Sequence, residues 1–394
     1  MESIKDKVAI IGMGCIKFGE LWNKSAEDMI FEAVKEAYED AGIGPDQIQA
    51  GWFASMLTGE TGQVLCHALK LNYNVPITRV ENACATGSDA LRNAIYGVAS
   101  GAYDVALVCG VEKIKDSGWA GLEPKTLFPD PCAVRPQIAP PSQFAFFATK
   151  YFEHYGISYE EGRKLLSQIS VKNHHNGSLN PKAMFQREIT LADAMNSPLV
   201  SWPLNLYDCC GNSDGAAAAI ITRADLAKNF RKDYVLIKGI GLSVGAGQGL
   251  IDPDFDFLSF PETRNAARAA YADAGIKIPR KEVDLAIVHD CFTITELITM
   301  EDLGFSEKGK AKYDVEAGTF TLSGELPVNT DGGLKSFGHP IGASGLRMVY
   351  EVYKQLQGKA GKRQLKKADI GVTHNLGGLS GSYSCAVCVL GRRN

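Results

Sequence analysis

The chain repeats itself, and a repeat narrows the folds open to it more than any single residue does. Residues 8–12 read as a buried strand, and a helical pattern over 26–41 follows, closing on Ala41-Gly42-Ile43. In the second half, residues 234–239 read as a strand and the next helical pattern closes on Asp273-Ala274-Gly275-Ile276. Glycine directly after a helix is the usual left-handed cap, so both copies end their helix by the same device. A polar turn and another strand follow each, over 51–55 and 283–289. The likeness extends further. Cys84-Ala85-Thr86-Gly87-Ser88-Asp89-Ala90-Leu91-Arg92 can be laid on His339-Pro340-Ile341-Gly342-Ala343-Ser344-Gly345-Leu346-Arg347. Gly87 then meets Gly342, Leu91-Arg92 meets Leu346-Arg347, and Cys84 falls on His339. A duplicated fold with a pseudo-two-fold axis puts those two residues at equivalent helix starts. If the starts face each other, a thiol meets an imidazole. The expected architecture is two α/β halves, 1–230 and 231–394. The first carries an insertion over roughly 114–205, rich in proline and aromatics (Pro129, Pro131, Pro136, Pro140, Pro141, Trp119, Phe144, Phe146, Phe147). Such a segment either covers a substrate or is a structural excursion, and the sequence leaves both open.

Cys84 sits between an extended stretch, 76–80, and a helical pattern over 88–98. Backbone N–H groups and the helix dipole at a strand-to-helix turn favour a thiolate. A buried cysteine acting as a small hydrophobe is the plainer reading, and position alone does not choose between them.

The 394 residues suffice for two cores, and a net charge of −4 with a pI near 6.0 points away from nucleic acid and anionic membranes. Ten cysteines in so large a chain do not suggest a disulfide framework. Cys385 and Cys388 have C-x-x-C spacing but lie in an apolar strand pattern with no second ligand pair, so no metal site is expected. Gly12-x-Gly14 lacks the third glycine of a dinucleotide fingerprint and reads as a strand-end turn. The basic run Lys359, Lys362, Arg363, Lys366, Lys367 reads as solvated surface. Neither an export signal nor a membrane-spanning apolar run is evident, and the expected location is the cytoplasm.

Three motifs together resemble the thiolase superfamily over the full length. Asn82-Ala83-Cys84-Ala85-Thr86-Gly87 is similar to its nucleophile loop, and Asp208-Cys209-Cys210-Gly211-Asn212-Ser213-Asp214-Gly215-Ala216 to the segment closing its first half. Asn329-Thr330-Asp331-Gly332-Gly333 with Gly338-His339-Pro340-Ile341-Gly342 is similar to its histidine loop. Two departures refine the likeness. His289-Asp290-Cys291-Phe292 stands where ordinary thiolases carry Asn-Glu-Ala-Phe, and His374-Asn375-Leu376-Gly377-Gly378 lacks their C-terminal cysteine. Both resemble the sterol-carrier-protein-2 type and related archaeal and bacterial enzymes, whose second cysteine comes from the His-Asp-Cys-Phe loop.

The resemblance implies α/β architecture: two βαβαβαββ halves in five αβαβα layers, with an inserted loop region. It implies CoA-dependent cleavage of a 3-oxoacyl-CoA, with Cys84 as nucleophile, His339 as base and oxyanion donor, Cys291 as acid/base and His289 as oxyanion donor. The backbone N–H groups of Cys84 and Gly377 would hold the second oxyanion, while His374 would orient its loop and Asp290 would anchor. CoA would be a substrate, with no permanently bound cofactor and no metal. A homodimer or higher oligomer, and a small zinc-ribbon/OB-fold partner protein, are further implications. The acyl group stays open between acetoacetyl-CoA, worked in the condensation direction, and larger substrates. The aromatic insertion favours a large one such as benzoylsuccinyl-CoA, of anaerobic toluene breakdown. Two other readings remain: another condensing enzyme of the same fold, and a non-catalytic acyl-CoA-binding scaffold.

Overall fold

The computed structural model describes residues 3–117, 139–247, 249, 252–379 and 381–393. Trp119, Pro129, Pro131 and Pro136 of the expected insertion lie outside them. In chain order come β1 (Val8–Cys15), α1 (Ala26–Ala41), β2 (Ala50–Ala54), α2 (Gln63–Leu69), β3 (Ile77–Val80), α3 (Thr86–Ala99) and β4 (Val105–Glu112). The described part of the insertion holds α4 (Pro140–His154), α5 (Tyr159–Ser178), α6 (Leu191–Met195) and the short hairpin β5 (Leu199–Ser201) and β6 (Leu204–Asn205). Then follow β7 (Gly215–Arg223), α7 (Ala224–Ala227), β8 (Val235–Val244), α8 (Pro261–Ala274), α9 (Pro279–Glu282), β9 (Leu285–Val288) and α10 (Thr293–Asp302). The last are α11 (Ala311–Glu316), α12 (Gly333–Phe337), α13 (Ile341–Leu356), β10 (Ile370–Leu379) and β11 (Ser382–Arg392).

The sheet order is β3-β2-β4-β7-β1-β8-β11-β10-β9. It reads as two copies of one pattern meeting at β1 and β8, with β1 matching β8, β7 matching β11, β4 matching β10 and β2 matching β9. The pairing senses match as well. β4–β7, β7–β1, β8–β11 and β11–β10 are antiparallel, whereas β2–β4 and β9–β10 are parallel. β1 and β8 pair antiparallel through Ala9 with Leu236 and Ile10 with Val235. The two expected sheets are therefore hydrogen-bonded into one at the pseudo-dyad. The match to β3 in the second half is reduced to one parallel bridge, Ala286 to Val328. Pro327 beside it has no N–H to donate, and Asn329 turns to φ 55°, so the ladder stops there.

α3 and α13 pack on each other between the two half-sheets, α13 touching β4 and β7 on one side and β9 and β10 on the other. α1 covers β1 and β7 from outside, and α8 covers β8 and β11. The five layers follow from this placement. Gly42 and Gly275 both take the left-handed cap, at φ 71° and 81°, each donating its N–H at 2.8 Å four residues back.

The G-x-G of β1 corrects one expectation. Gly12 and Gly14 are mid-strand, not at a strand-end turn. A Cβ on Gly14 would lie 2.0 Å from the Ala33 carbonyl oxygen of α1. Gly239 and Gly241 of β8 meet α8 identically, with Ala270 and Ala266 oxygens each 2.1 Å from such a Cβ. Both outer helices sit directly on strand backbone because those side chains are missing.

Two of the insertion's described aromatics, Phe144 and Phe147, are packing residues. Phe144 stacks on Phe292 at 4.7 Å and 27°, and buried Phe147 lies 4.9 Å from Phe260. α5 buries polar groups instead. Its Arg163 pairs with Asp208, and Asn173 donates to Asp290 (2.9 Å) and Glu296 (2.7 Å). This part of the insertion is bolted onto the second half.

Gly14→Val is expected to lower stability by about 3 kcal/mol or to prevent folding, because overpacking against backbone relaxes poorly. Urea unfolding monitored by circular dichroism checks it, and unchanged stability would mean that α1 can move off the sheet.

Candidate active site

The nucleophile-loop motif forms a tight turn ahead of α3. Ala83 sits at φ 50°, a strained value for a residue with a Cβ. The Thr86 hydroxyl braces the turn, accepting from Asn82 N–H (2.8 Å) and donating to the Ala83 carbonyl (2.5 Å). Cys84 is 8% exposed, and Ile114 and Ile341 pack around it. Gly377 of β10 presses against the turn; a Cβ there would lie 2.5 Å from Cys84 N and 2.6 Å from Ala85 N.

α13 delivers His339 to the same place. Gly87 would meet the Gly342 oxygen at 2.7 Å if it bore a Cβ, and Gly345 would meet Ser88 N at 2.4 Å. The two helix starts therefore cross at backbone contact. His289, just past β9, completes the group: one side-chain donor atom from each of Cys84, His289 and His339 lies within 4.8 Å of the others. The two rings stand edge to face, with centroids 5.3 Å apart.

Hydrogen bonds set opposite tautomers. The Ser344 hydroxyl donates to the Pro340 carbonyl (2.9 Å), so toward His339 it can only accept, and Nδ1 carries the proton (2.7 Å). His339 Nε2 is left as a buried lone pair without a partner. His289 Nδ1 instead faces the amide nitrogen of Asn375 at 3.3 Å, whose Oδ1 accepts from Ser88 at 3.1 Å. Nδ1 is thus the acceptor and Nε2 carries the proton. Burial pushes His339 down to about 3 and, with the neighbouring imidazoles, holds His289 well below its usual range. One ring can take a proton and the other can give a hydrogen bond.

The His-Asp-Cys-Phe segment runs beside the Asp-Cys-Cys segment. Cys209 and Phe292 form an antiparallel bridge, and Cys210 N–H donates to the Cys291 carbonyl at 2.8 Å. Cys291 Sγ lies 3.6 Å from Thr295 Oγ1. Burial raises the Cys84 thiol to about 12, with Cys210 the next contribution, and raises Cys291 too, with Cys84 next. The Asp290 carboxylate accepts from Leu334 N–H (2.6 Å) and Lys335 N–H (3.3 Å). It ties the strand end bearing His289 and Cys291 to the short helix that leads into His339.

Residues 8–225 match the family model for the thiolase N-terminal domain, and residues 250–392 the thiolase C-terminal domain-like model. The chain belongs to the thiolase family. It is 39% identical to the acetyl-CoA acetyltransferase of Methanothermobacter thermautotrophicus, over 95% of this chain and 97% of that protein. It is 32% identical to human sterol carrier protein 2, over 94% of this chain and 70% of that one. A solved Ltp2-ChsH2(DUF35) aldolase superposes with a TM-score of 0.83 over 99% of both chains at 24% identity, a likeness of fold. Membership of the family, with relatives of this identity over nearly the whole chain, makes this thiolase an acyltransferase.

The structure brings Cys84, His289, His339 and the Gly377 backbone into one site, with Cys291 in electrostatic reach. It corrects the charge expected at Cys84. Burial outweighs the helix start, so the resting residue is a thiol beside neutral imidazoles. His374 lies behind the site, taking the His289 backbone N–H on Nδ1 (3.3 Å) and meeting Thr263 through Nε2 (2.9 Å). Cys385 and Cys388, three apart on β11, face opposite sides of the sheet and share no site. Arg363, expected in solvent, is buried on Glu351 at 2.8 Å. Cys210 and Ser344 were not singled out from the sequence. Ser344 was findable, because five residues after His339 it comes back over the helix start.

In this thiolase His374 keeps a neutral ring, pushed down to about 3 by burial. The unfolded chain protonates it below about pH 6.5, so its contribution is present above that pH and is lost as pH falls toward 3. His374→Gln is expected to flatten the decline of unfolding free energy between pH 6 and 4.5 by about 1.4 kcal/mol per pH unit. Urea titrations across that range read the slope, and an unchanged slope would show that the ring protonates in the folded state.

Proposed function

We propose that this chain is a biosynthetic-type thiolase interconverting acetoacetyl-CoA with acetyl-CoA through an acyl-Cys84 intermediate. The observation that carries the reading is the convergence of Cys84, His289 and His339 within 4.8 Å, with opposite tautomers on the two rings. In the cleavage direction His339 Nε2 takes the Cys84 proton as sulfur attacks the keto carbon, so no free thiolate need persist in the buried site. The oxyanion formed there is held by the Cys84 and Gly377 backbone N–H groups. The bond between C2 and C3 then breaks. Protonated His339 and the Nε2–H of His289 hold the enolate oxygen, and the Cys291 thiol gives its proton to C2. The thiol of CoA then attacks the acyl-Cys84 carbonyl and gives its proton to the Cys291 thiolate, and the Cys84 sulfur leaves with the proton held by His339. Condensation runs these steps backwards, with Cys291 as base.

The named activity of the archaeal relatives supports the small substrate. Benzoylsuccinyl-CoA has less support, because two of the insertion's aromatics, Phe144 and Phe147, are taken up in packing on Phe292 and Phe260. CoA enters as substrate, with no bound cofactor. A homodimer is proposed, in which the side of β3 that no described strand pairs is open to a second copy. A second component in the name of one structural neighbour supports a small zinc-ribbon/OB-fold partner. A cytoplasmic location is proposed, and no helix among the described residues is long and apolar enough to cross a membrane.

Incubation with acetoacetyl-CoA should add an acetyl mass to the Cys84 peptide, absent in Cys84→Ala; no adduct would favour the scaffold reading. Cys291→Ala should keep the adduct but lose about 10²–10⁴ in turnover, and undiminished cleavage would remove Cys291 from the mechanism. His289→Ala should cost about 10²–10³ in kcat. Acetoacetyl-CoA and benzoylsuccinyl-CoA, each assayed with and without the partner, decide the acyl group.

A further inference from the structure

Among the described residues, one grouping of three Cys, His, Asp or Glu donors is close enough to share an ion, and it is Cys84, His289 and His339. We propose that these three side chains form a binding site for one borderline-soft divalent cation, Zn²⁺ or Co²⁺, that reversibly closes the active site. One sulfur and two imidazole nitrogens with a free fourth position are a donor set suited to tetrahedral zinc. Bonds of about 2.3 Å to sulfur and 2.0–2.1 Å to nitrogen place such donors roughly 3.3–3.6 Å apart. Starting from separations within 4.8 Å, rotations that move the side-chain ends by about 1 Å close the set.

The second observation is the orphaned lone pair. His339 Nε2 is buried with no partner, while Nδ1–H is held by Ser344. That is the outer arrangement a metal-binding histidine requires, in which the far nitrogen is tied and the near one is bare. His289 reaches the same state by one internal adjustment. Rotation of the Asn375 amide presents Oδ1 to Nδ1, and the Ser88 hydroxyl turns to accept the amide N–H. Nδ1 then carries the ring proton and Nε2 is free to bind. Cys84 binds as the thiolate, its proton passing to solvent. The buried Glu112 carboxylate, which accepts from Gly342 N–H at 3.0 Å and whose charge is felt at Cys84, offsets the remaining positive charge. The bound ion occupies the sulfur lone pair and both ring nitrogens, so no acyl group can load until a chelator removes it.

Binding is read on the resting protein, so its outcome is independent of the proposed substrate. Titration with Co²⁺ alone should give a thiolate-to-cobalt absorption band saturating at one ion per chain, absent in Cys84→Ala. Zn²⁺ alone should slow iodoacetamide alkylation of Cys84 in the native chain at least tenfold, read by peptide mass spectrometry with Cys66 as internal reference. A chelator should restore the rate. A band of equal strength in a folded Cys84→Ala, or Cys84 alkylation unaffected by Zn²⁺, would overturn the proposal, and the second readout needs no variant to fold.

Discussion

Backbone contact between two buried helix starts is the constraint on which the rest of the molecule depends. α3 and α13 can cross so closely only because Gly87 and Gly345 have no side chains, while bare Gly342 lets α13 start against the ends of β2 and β4. A Cβ at Gly87 or Gly345 would push the helices apart and carry Cys84 away from His339. The outer layers use the same principle, where Gly12, Gly14, Gly239 and Gly241 let α1 and α8 lie on strand backbone. Both halves thus spend small residues at the positions where layers must come close. The gain is dispersion and apolar burial along whole helices, which outweighs the backbone entropy that glycine costs.

The site made at that crossing is buried, and burial governs its chemistry. Burial drives Cys84 toward its thiol and the histidines toward neutral imidazole. Charge appears only when a proton moves between them, and each move has a preset acceptor or donor. Ser344 fixes the His339 proton on Nδ1, while Asn375, oriented by Ser88, fixes the His289 proton on Nε2. Asn375 occupies the position where ordinary thiolases carry their second cysteine. Its amide holds an imidazole here, and under the proposed function the second thiol is that of Cys291 on a different loop.

Around this centre lies a buried polar frame that keeps the loops in register. Asp290 holds the start of α12, and Asn173 of the insertion holds Asp290 and Glu296. Glu112 accepts from Ser55, Met56, Leu57, Thr58 and Gly342, linking the end of β4 to the start of α13. Satisfied networks of this kind specify one arrangement of loops, because breaking any member strands a buried partner.

The duplication, the helix caps at Gly42 and Gly275 and the pairing of Cys84 with His339 were legible in the chain, because each is a local pattern or its repetition. The motifs also mark His289, Cys291 and Gly377. What they left open was decided by burial and by contacts between residues far apart in sequence. The thiol state of Cys84, the tautomers of the two rings, the arrival of Cys210 beside Cys291 and the joining of two half-sheets at Ala9 and Leu236 are all of this kind. Sequence by itself determined which groups could do the chemistry. Tertiary structure decided their protonation and their distances, since desolvation and cross-half hydrogen bonds exist only once the two halves have closed on each other.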